Sequence, residues 1–228
     1  MCAFLSGKKD QDTYVKSFGH SSDAKIIYTR HQVFQSQSSQ VKVKNLLPGY
    51  NSVAFAGLLR GNAHILNMAL RDNLNFYYID HAYFNPGYKY PNWMRVTKNG
   101  FVQNTILPNV DAERLKLFDI KFKEYNFNKK QNIVVFPPSD TVARVFNKTN
   151  WEAETIKKIK EYTDRPIVVR RAAYPLTHSF SELEKLKEKE RTQLFASLSW
   201  GQFTMEEITN KKTFKFINSI TQWKGSMK

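Results

Sequence analysis

Ser52-Val53-Ala54-Phe55-Ala56, then Gly57-Leu58-Leu59-Arg60-Gly61, and further on Phe76-Tyr77-Tyr78-Ile79-Asp80-His81, is the stretch whose reading decides the fold. The first run is short and continuously apolar, which is how a strand buried on both faces reads. Between the two runs Ile65, Leu66, Met68 and Ala69 recur at helical spacing, with Asn62 as the candidate cap. Asn73-Leu74-Asn75 turns the chain into the second run. Strand, glycine-containing loop, helix and strand make a βαβ unit, the seed of a parallel sheet.

The same pattern recurs downstream. Asn132-Ile133-Val134-Val135-Phe136 reads as a buried strand ended by Pro137-Pro138-Ser139-Asp140, where a short helix starts at Ser139 or Asp140. A helix follows from Trp151 to about Tyr162, capped by Asn150 and turning Ile156 and Ile159 inward, and then a strand at Ile167-Val168-Val169-Arg170. Residues 181–199 read as a helix with Leu183, Leu186, Leu194 and Leu198 inside, and Trp200-Gly201-Gln202-Phe203-Thr204 breaks it. Thr204-Met205-Glu206-Glu207 has the spacing of a capping box. Trp93-Met94-Arg95-Val96-Thr97 is a strand candidate ending at Asn99-Gly100. Upstream, Lys25-Ile26-Ile27-Tyr28-Thr29 is another, while residues 6–25 otherwise read as a loose polar segment and 35–40 as a linker. The expectation is therefore an α/β protein in three parts. Residues 1–48 form a partly irregular N-terminal segment, 49–125 a first α/β lobe, and 126–228 a second, abbreviated lobe with terminal helices.

Composition narrows the function. The chain has 228 residues, 35 Lys and Arg against 20 Asp and Glu, and a formal charge of +15. That surplus favours a polyanionic partner: nucleic acid, an anionic surface or a phosphorylated small molecule. One cysteine, Cys2, cannot form an internal disulfide. One Cys and five scattered His do not make a recognisable zinc site, so no metal is expected. No apolar stretch approaches the length of a membrane span, and charge follows the short apolar N-terminal run rather than preceding it. The chain reads as soluble and intracellular.

Ligands in open α/β sheets sit at the carboxyl ends of the strands, so the candidates lie there. Gly57, Arg60 and Gly61 form a loop before a helix N-terminus, which suits an anion and equally suits a tight turn. Asp80 and His81 end a strand, and a histidine beside a carboxylate is a candidate general base. Neighbouring strand residues point to opposite faces, so a purely structural role stands beside the catalytic one. Ser139 begins a helix, Arg170 and Arg171 end a strand, and His178 follows them; all four are candidate substrate-binding residues. Ser139 also reads as a plain cap.

Taken in order, several of these pieces carry a resemblance. They are Ala56-Gly57-Leu58-Leu59-Arg60-Gly61, Tyr77 to Phe84, Met94-Arg95-Val96-Thr97-Lys98-Asn99, Val135 to Ser139, Tyr162 to Ile167, and Leu198 to Ile208. The series resembles a phage-encoded glycosyltransferase-like family with two facing Rossmann-like lobes, the GT-B arrangement, and covers roughly residues 50–210. The resemblance implies transfer of a sugar from a nucleotide-sugar co-substrate, with no other cofactor, in the cytoplasm of an infected bacterial cell. It implies His81 or Asp80 as the base, with Arg95 among the substrate-binding residues. Arg170, Arg171 and Ser139 would hold the donor diphosphate. Relative to the family, the segment between Arg170 and Trp200 is shortened, which implies an abbreviated donor lobe. The basic surface makes phage DNA bearing a hydroxylated base an expected acceptor. The alternative is a non-catalytic, basic nucleic-acid-binding or accessory phage protein.

Overall fold

The computed structural model describes residues 1–28, 48–84, 93–103, 107, 110–120, 132–170 and 188–220. The chain divides into two compact units, residues 1–120 together with 187–228, and residues 121–186.

The first unit is built on a six-stranded sheet. Its strands are β1 (Cys2–Leu5), β2 (Lys25–Tyr28), β3 (Ser52–Ala56), β4 (Asn75–His81), β5 (Trp93–Lys98) and β8 (Gln202–Thr204), in the spatial order β2-β1-β3-β4-β5-β8. The first four in that order are parallel, and β5 and β8 add antiparallel at one side. Helix α1 (Lys9–Ser21) connects β1 to β2, and α2 (Asn62–Arg71) connects β3 to β4. Central strands β1 and β3 are buried along their whole length, as their unbroken apolar sequences require.

A hydrophobic core cluster lies on the face carrying Ala3, Leu5, Ala54, Ala56, Tyr77 and Ile79. Tyr14, Val15 and Phe18 of α1 pack into it, joined by Phe203, Ile208 and Ile217 from the C-terminal region. Gly19 lets α1 approach the sheet closely, because a methyl group there would stand 2.6 Å from Ile26 Cδ1 and 2.8 Å from Ala3 Cβ. The opposite face stacks aromatics, with Phe55 against Phe76 and Tyr78, and Phe101 against the latter two.

The sequence expectation changes in two places. Residues 6–25 are not loose: they contain α1, whose narrow apolar stripe of Tyr14, Val15 and Phe18 is masked by a polar composition. Residues 187–228 do not belong with a second lobe. Helix α6 (Glu188–Trp200) leads into β8, which pairs with β5, and α7 (Met205–Thr209) and α8 (Lys212–Ser219) complete the first unit. The division at 48/49 and 125/126 therefore gives way to an interrupted first unit and an inserted second one.

The return of the chain is held by Arg114, in the short helix α3 (Glu113–Lys116). Its guanidinium pairs with both Glu207 oxygens at 2.8 Å and donates to Ser199 O and Gln202 O at 2.9 and 2.7 Å. It also lies over the rings of Trp93, Trp200 and Phe203. Thr204 and Glu207 form the expected capping box at the start of α7. Burial alone would raise the Glu207 pKa, but the Arg114 and Thr204 hydrogen bonds outweigh it and hold the pKa below the ordinary value.

The second unit has β6 (Ile133–Val135) parallel to β7 (Ile167–Val169), with α4 (Asp140–Val145) and α5 (Trp151–Lys160) in the crossover. Ser139 caps α4 by accepting from Val142 N. Asn150 stands at the N-cap of α5 without a side-chain cap bond, and Ile156 and Ile159 are half-buried. Of the expected helix over 181–199, residues 181–187 lie outside the described residues, together with Leu183 and Leu186.

Thr204→Ala is expected to lower the unfolding free energy by about 1 kcal/mol in urea denaturation. Because the Glu207 pKa is depressed in the folded chain, its contribution is full above about pH 4.3 and fades as pH falls through the folded value. The stability gap between wild type and Glu207→Gln therefore closes on acidification, which pH-dependent denaturation checks.

Candidate functional site

Three loops meet the carboxyl edge of the parallel strands in the first unit: Ser6-Gly7-Lys8 after β1, Gly57 to Gly61 after β3, and the end of β4 at Asp80-His81. The β3 loop needs its glycines. Gly57 and Gly61 have φ of 61° and 91°, left-handed conformations that glycine adopts without strain, and Arg60 between them is also left-handed at 57°. Gly61, not Asn62, is the N-cap of α2. Asn62 lies one residue inside, fully buried, and its Nδ2 donates to Ala56 O at 2.5 Å, which ties the helix start to the end of β3. Arg60 is exposed beside Leu59, itself 63% exposed.

On β4 the alternation of side chains separates Asp80 from His81. Asp80 shares a face with Tyr78, and His81 shares the other with Tyr77 and Ile79. Both Asp80 oxygens are engaged. Oδ1 accepts from the His81 backbone N–H at 2.8 Å, and Oδ2 accepts from Tyr78 Oη at 2.7 Å and from Arg95 at 3.1 Å. The hydrogen bond between Asp80 and His81 thus runs through the main chain, where it fixes the strand end, while the charge of Asp80 also acts on the ring.

Arg95 sits directly across from Asp80 in the β4–β5 register and is 3% exposed. Its guanidinium lies 5.1 Å from the Tyr83 ring centre and 5.9 Å from that of Tyr78. Burial works against its charge, but Tyr83, Asp80 and Tyr78 overcome that and raise its pKa. Burial, with help from Asp80, pushes the Tyr78 phenol well above its ordinary range. The expectation that Arg95 binds substrate gives way to a buried counter-ion, because its charge is spent on Asp80 inside the sheet.

The polar layer continues into the C-terminal return. Tyr83 Oη accepts from Gln103 N at 2.6 Å, Gln103 Nε2 bonds Ser197 Oγ, and fully buried Gln202 accepts from Phe84 N at 3.0 Å. Gly201 sits where no side chain fits: an added methyl would stand 2.4 Å from Gln103 Oε1 and 3.2 Å from Tyr83. The Trp200 to Ile208 motif therefore serves packing and capping of this layer.

His81 is half-buried at the edge, and burial lowers its pKa. Asp80 opposes that shift, while the positive charges of Lys8 and Arg95 reinforce it. A histidine held below its ordinary value of about 6.5 is neutral at pH 7 and able to accept a proton. Arg60, Gly57 and Gly61 lie on the next strand's loop at the same edge. Ser139 and Arg170 follow β6 and β7 in the second unit, at the carboxyl edge of that parallel pair. Arg170 is exposed, and its N–H donates to Val135 O at 2.9 Å. Arg171 and His178 lie outside the described residues.

Sequence reading missed Lys8, whose charge acts on His81, and Asp12, whose carboxylate accepts from the Ser6 and Gly7 amides of the β1 loop. The available signal was the succession of a short apolar run, Ser6-Gly7, and a polar stretch with Tyr14, Val15 and Phe18, a second strand, glycine and helix pattern. Among the described residues no cluster of three or more His, Cys, Asp or Glu is arranged to hold a metal, and no helix is long and apolar enough to cross a membrane. Comparison with family models, curated proteins and solved structures found no match to this chain.

Removing the cation from the Asp80 cluster leaves a partly buried carboxyl and two tyrosines without their partner. Arg95→Met is expected to cost about 3 kcal/mol in urea denaturation. Arg95→Lys is expected to recover only part of it, because an ammonium lacks the planar fork.

Proposed function

We propose that this chain is a glycosyltransferase-like phage protein that moves a sugar from a nucleotide-sugar to an acceptor hydroxyl, with His81 as the general base. The observation that carries the reading is the position of His81: at the carboxyl end of a parallel strand, half-buried, and kept below its ordinary pKa. A neutral imidazole there removes the hydroxyl proton as the acceptor oxygen attacks the sugar's anomeric carbon. Asp80, engaged by Arg95 and Tyr78, acts as a positioning residue that fixes the strand end through the His81 N–H.

In this reading the second unit takes the donor. Ser139 and Arg170, at the carboxyl edge of β6 and β7, stabilise the diphosphate leaving group together with Arg171, and His178 is a further substrate-binding residue. The two units then play the parts of two Rossmann-like lobes in a GT-B-like enzyme whose donor lobe is abbreviated. The charge of +15 supports a polyanionic acceptor such as phage DNA carrying a hydroxylated base.

His81→Ala is expected to reduce transfer by about a hundredfold or more while leaving nucleotide-sugar binding intact. Full activity in that variant contradicts the assignment. No response to any nucleotide-sugar, combined with tight and salt-sensitive DNA binding, identifies instead a non-catalytic nucleic-acid-binding protein.

The pH profile follows the sign of the shift. Activity requires neutral His81, so the acid limb of kcat/KM falls below about pH 6.5. Lys8→Ala removes a positive charge that disfavours the imidazolium, so it moves that limb to higher pH.

A further inference from the structure

The order β2-β1-β3-β4 places a topological switch point between β1 and β3, because β1 leads outward to β2 and β3 leads the other way to β4. In parallel sheets the crevice at such a point is where a phosphate meets turn amides and a helix N-terminus. Here the chain supplies its own occupants. Asp12 of α1 turns back over the β1 loop: Oδ1 accepts from Ser6 N at 2.7 Å and from Ser6 Oγ at 3.3 Å, and Oδ2 accepts from Gly7 N at 2.7 Å. The side chain of its neighbour Gln11 lies beside Gly57 of the β3 loop. A methyl group built on Gly57 would stand 3.6 Å from Gln11 Nε2 and 3.9 Å from Oε1.

The two observations are independent and concern both walls of the crevice. The Ser6 and Gly7 amides after β1 are satisfied by a carboxylate, and an amide side chain stands beside Gly57 after β3. An incoming phosphate would have to displace Asp12 from short hydrogen bonds and then remain beside its charge, and like charges at that range repel.

We propose that Asp12 is a built-in substitute for phosphate and a specificity-determining residue, which with Gln11 closes the β1–β3 crevice to phosphorylated ligands. The rest of the edge, over β3 and β4 at His81, is left to a hydroxyl compound whose reacting end carries no phosphate. This second statement rests on the reading of that edge as the acceptor site, whereas the closure of the crevice does not.

The test uses inorganic phosphate and pyrophosphate as probes on the full chain, with the backbone resonances of Ser6 and Gly7 and the melting temperature as readouts. In the wild type neither probe moves those resonances. In Asp12→Ala both probes move them, raise the melting temperature, and bind about tenfold more tightly or better than to the wild type. Asp12→Ser, which retains one short hydroxyl acceptor for the loop, provides the same comparison if the alanine variant does not fold. Movement of the Gly7 amide by phosphate in the wild type overturns the proposal without any variant. So does a folded Asp12 variant that gains no phosphate response. The two failures are separable: phosphate binding at Gly7 alongside lost transfer in His81→Ala rejects the closed crevice and keeps the acceptor reading. A closed crevice with full transfer in His81→Ala does the reverse.

Discussion

Arg95 is a cation placed inside a sheet, and the geometry of the carboxyl edge depends on how its charge is met. Across the β4–β5 register it faces Asp80, whose other oxygen holds the His81 main chain, and its guanidinium lies against the rings of Tyr78 and Tyr83. Burying an unpaired guanidinium is strongly unfavourable, so the carboxylate, the phenols and the strand register are coupled. Tyr83 in turn accepts from Gln103, whose side chain meets Ser197 and crowds Gly201. A residue on β5 thereby links the strand that bears His81 to the segment that closes the unit from the C-terminal end.

That closure explains why the first unit is discontinuous. A parallel strand added after β4 would need a further crossover helix, whereas β5 and β8 add by antiparallel pairing and need none. Arg114 then binds Glu207, Ser199 O and Gln202 O together, beneath three aromatic rings. Residues 121–186 are left as a unit inserted between β5 and β8, with its own parallel pair and crossover helices.

Much of this was legible where the pattern is local. The βαβ segment from Ser52 to His81 was read from a continuous apolar run, a helical stripe and glycine placement, and the capping box from Thr204 to Glu207 was read from spacing alone. The N-terminal β1-α1-β2 was only partly legible. Four buried residues make a weak strand signal, and α1 presents just a narrow apolar stripe among polar residues. The partnership of Arg95 with Asp80 was illegible, because cross-strand register depends on the loop between strands and leaves no trace in spacing. The carboxylate at Asp12 escaped for a similar reason: its hydrogen bonds reach back to residues before the helix, a geometry set by the turn. The position of His81 at the end of a parallel strand was legible from the apolar run that precedes it. The alternation that separates Asp80 from His81 was legible as well, whereas the engagement of both Asp80 oxygens, one by the His81 N–H and the other by Tyr78 and Arg95, was not.

The surroundings of His81 at the sheet edge, burial first and then the charges of Lys8 and Arg95, hold its pKa below the ordinary value. Titration of its ring resonances in the intact chain tests this most directly. The account predicts an apparent pKa below about 6.5 that rises in Lys8→Ala. A His81 that titrates at or above that value, unmoved by the loss of Lys8, would contradict it.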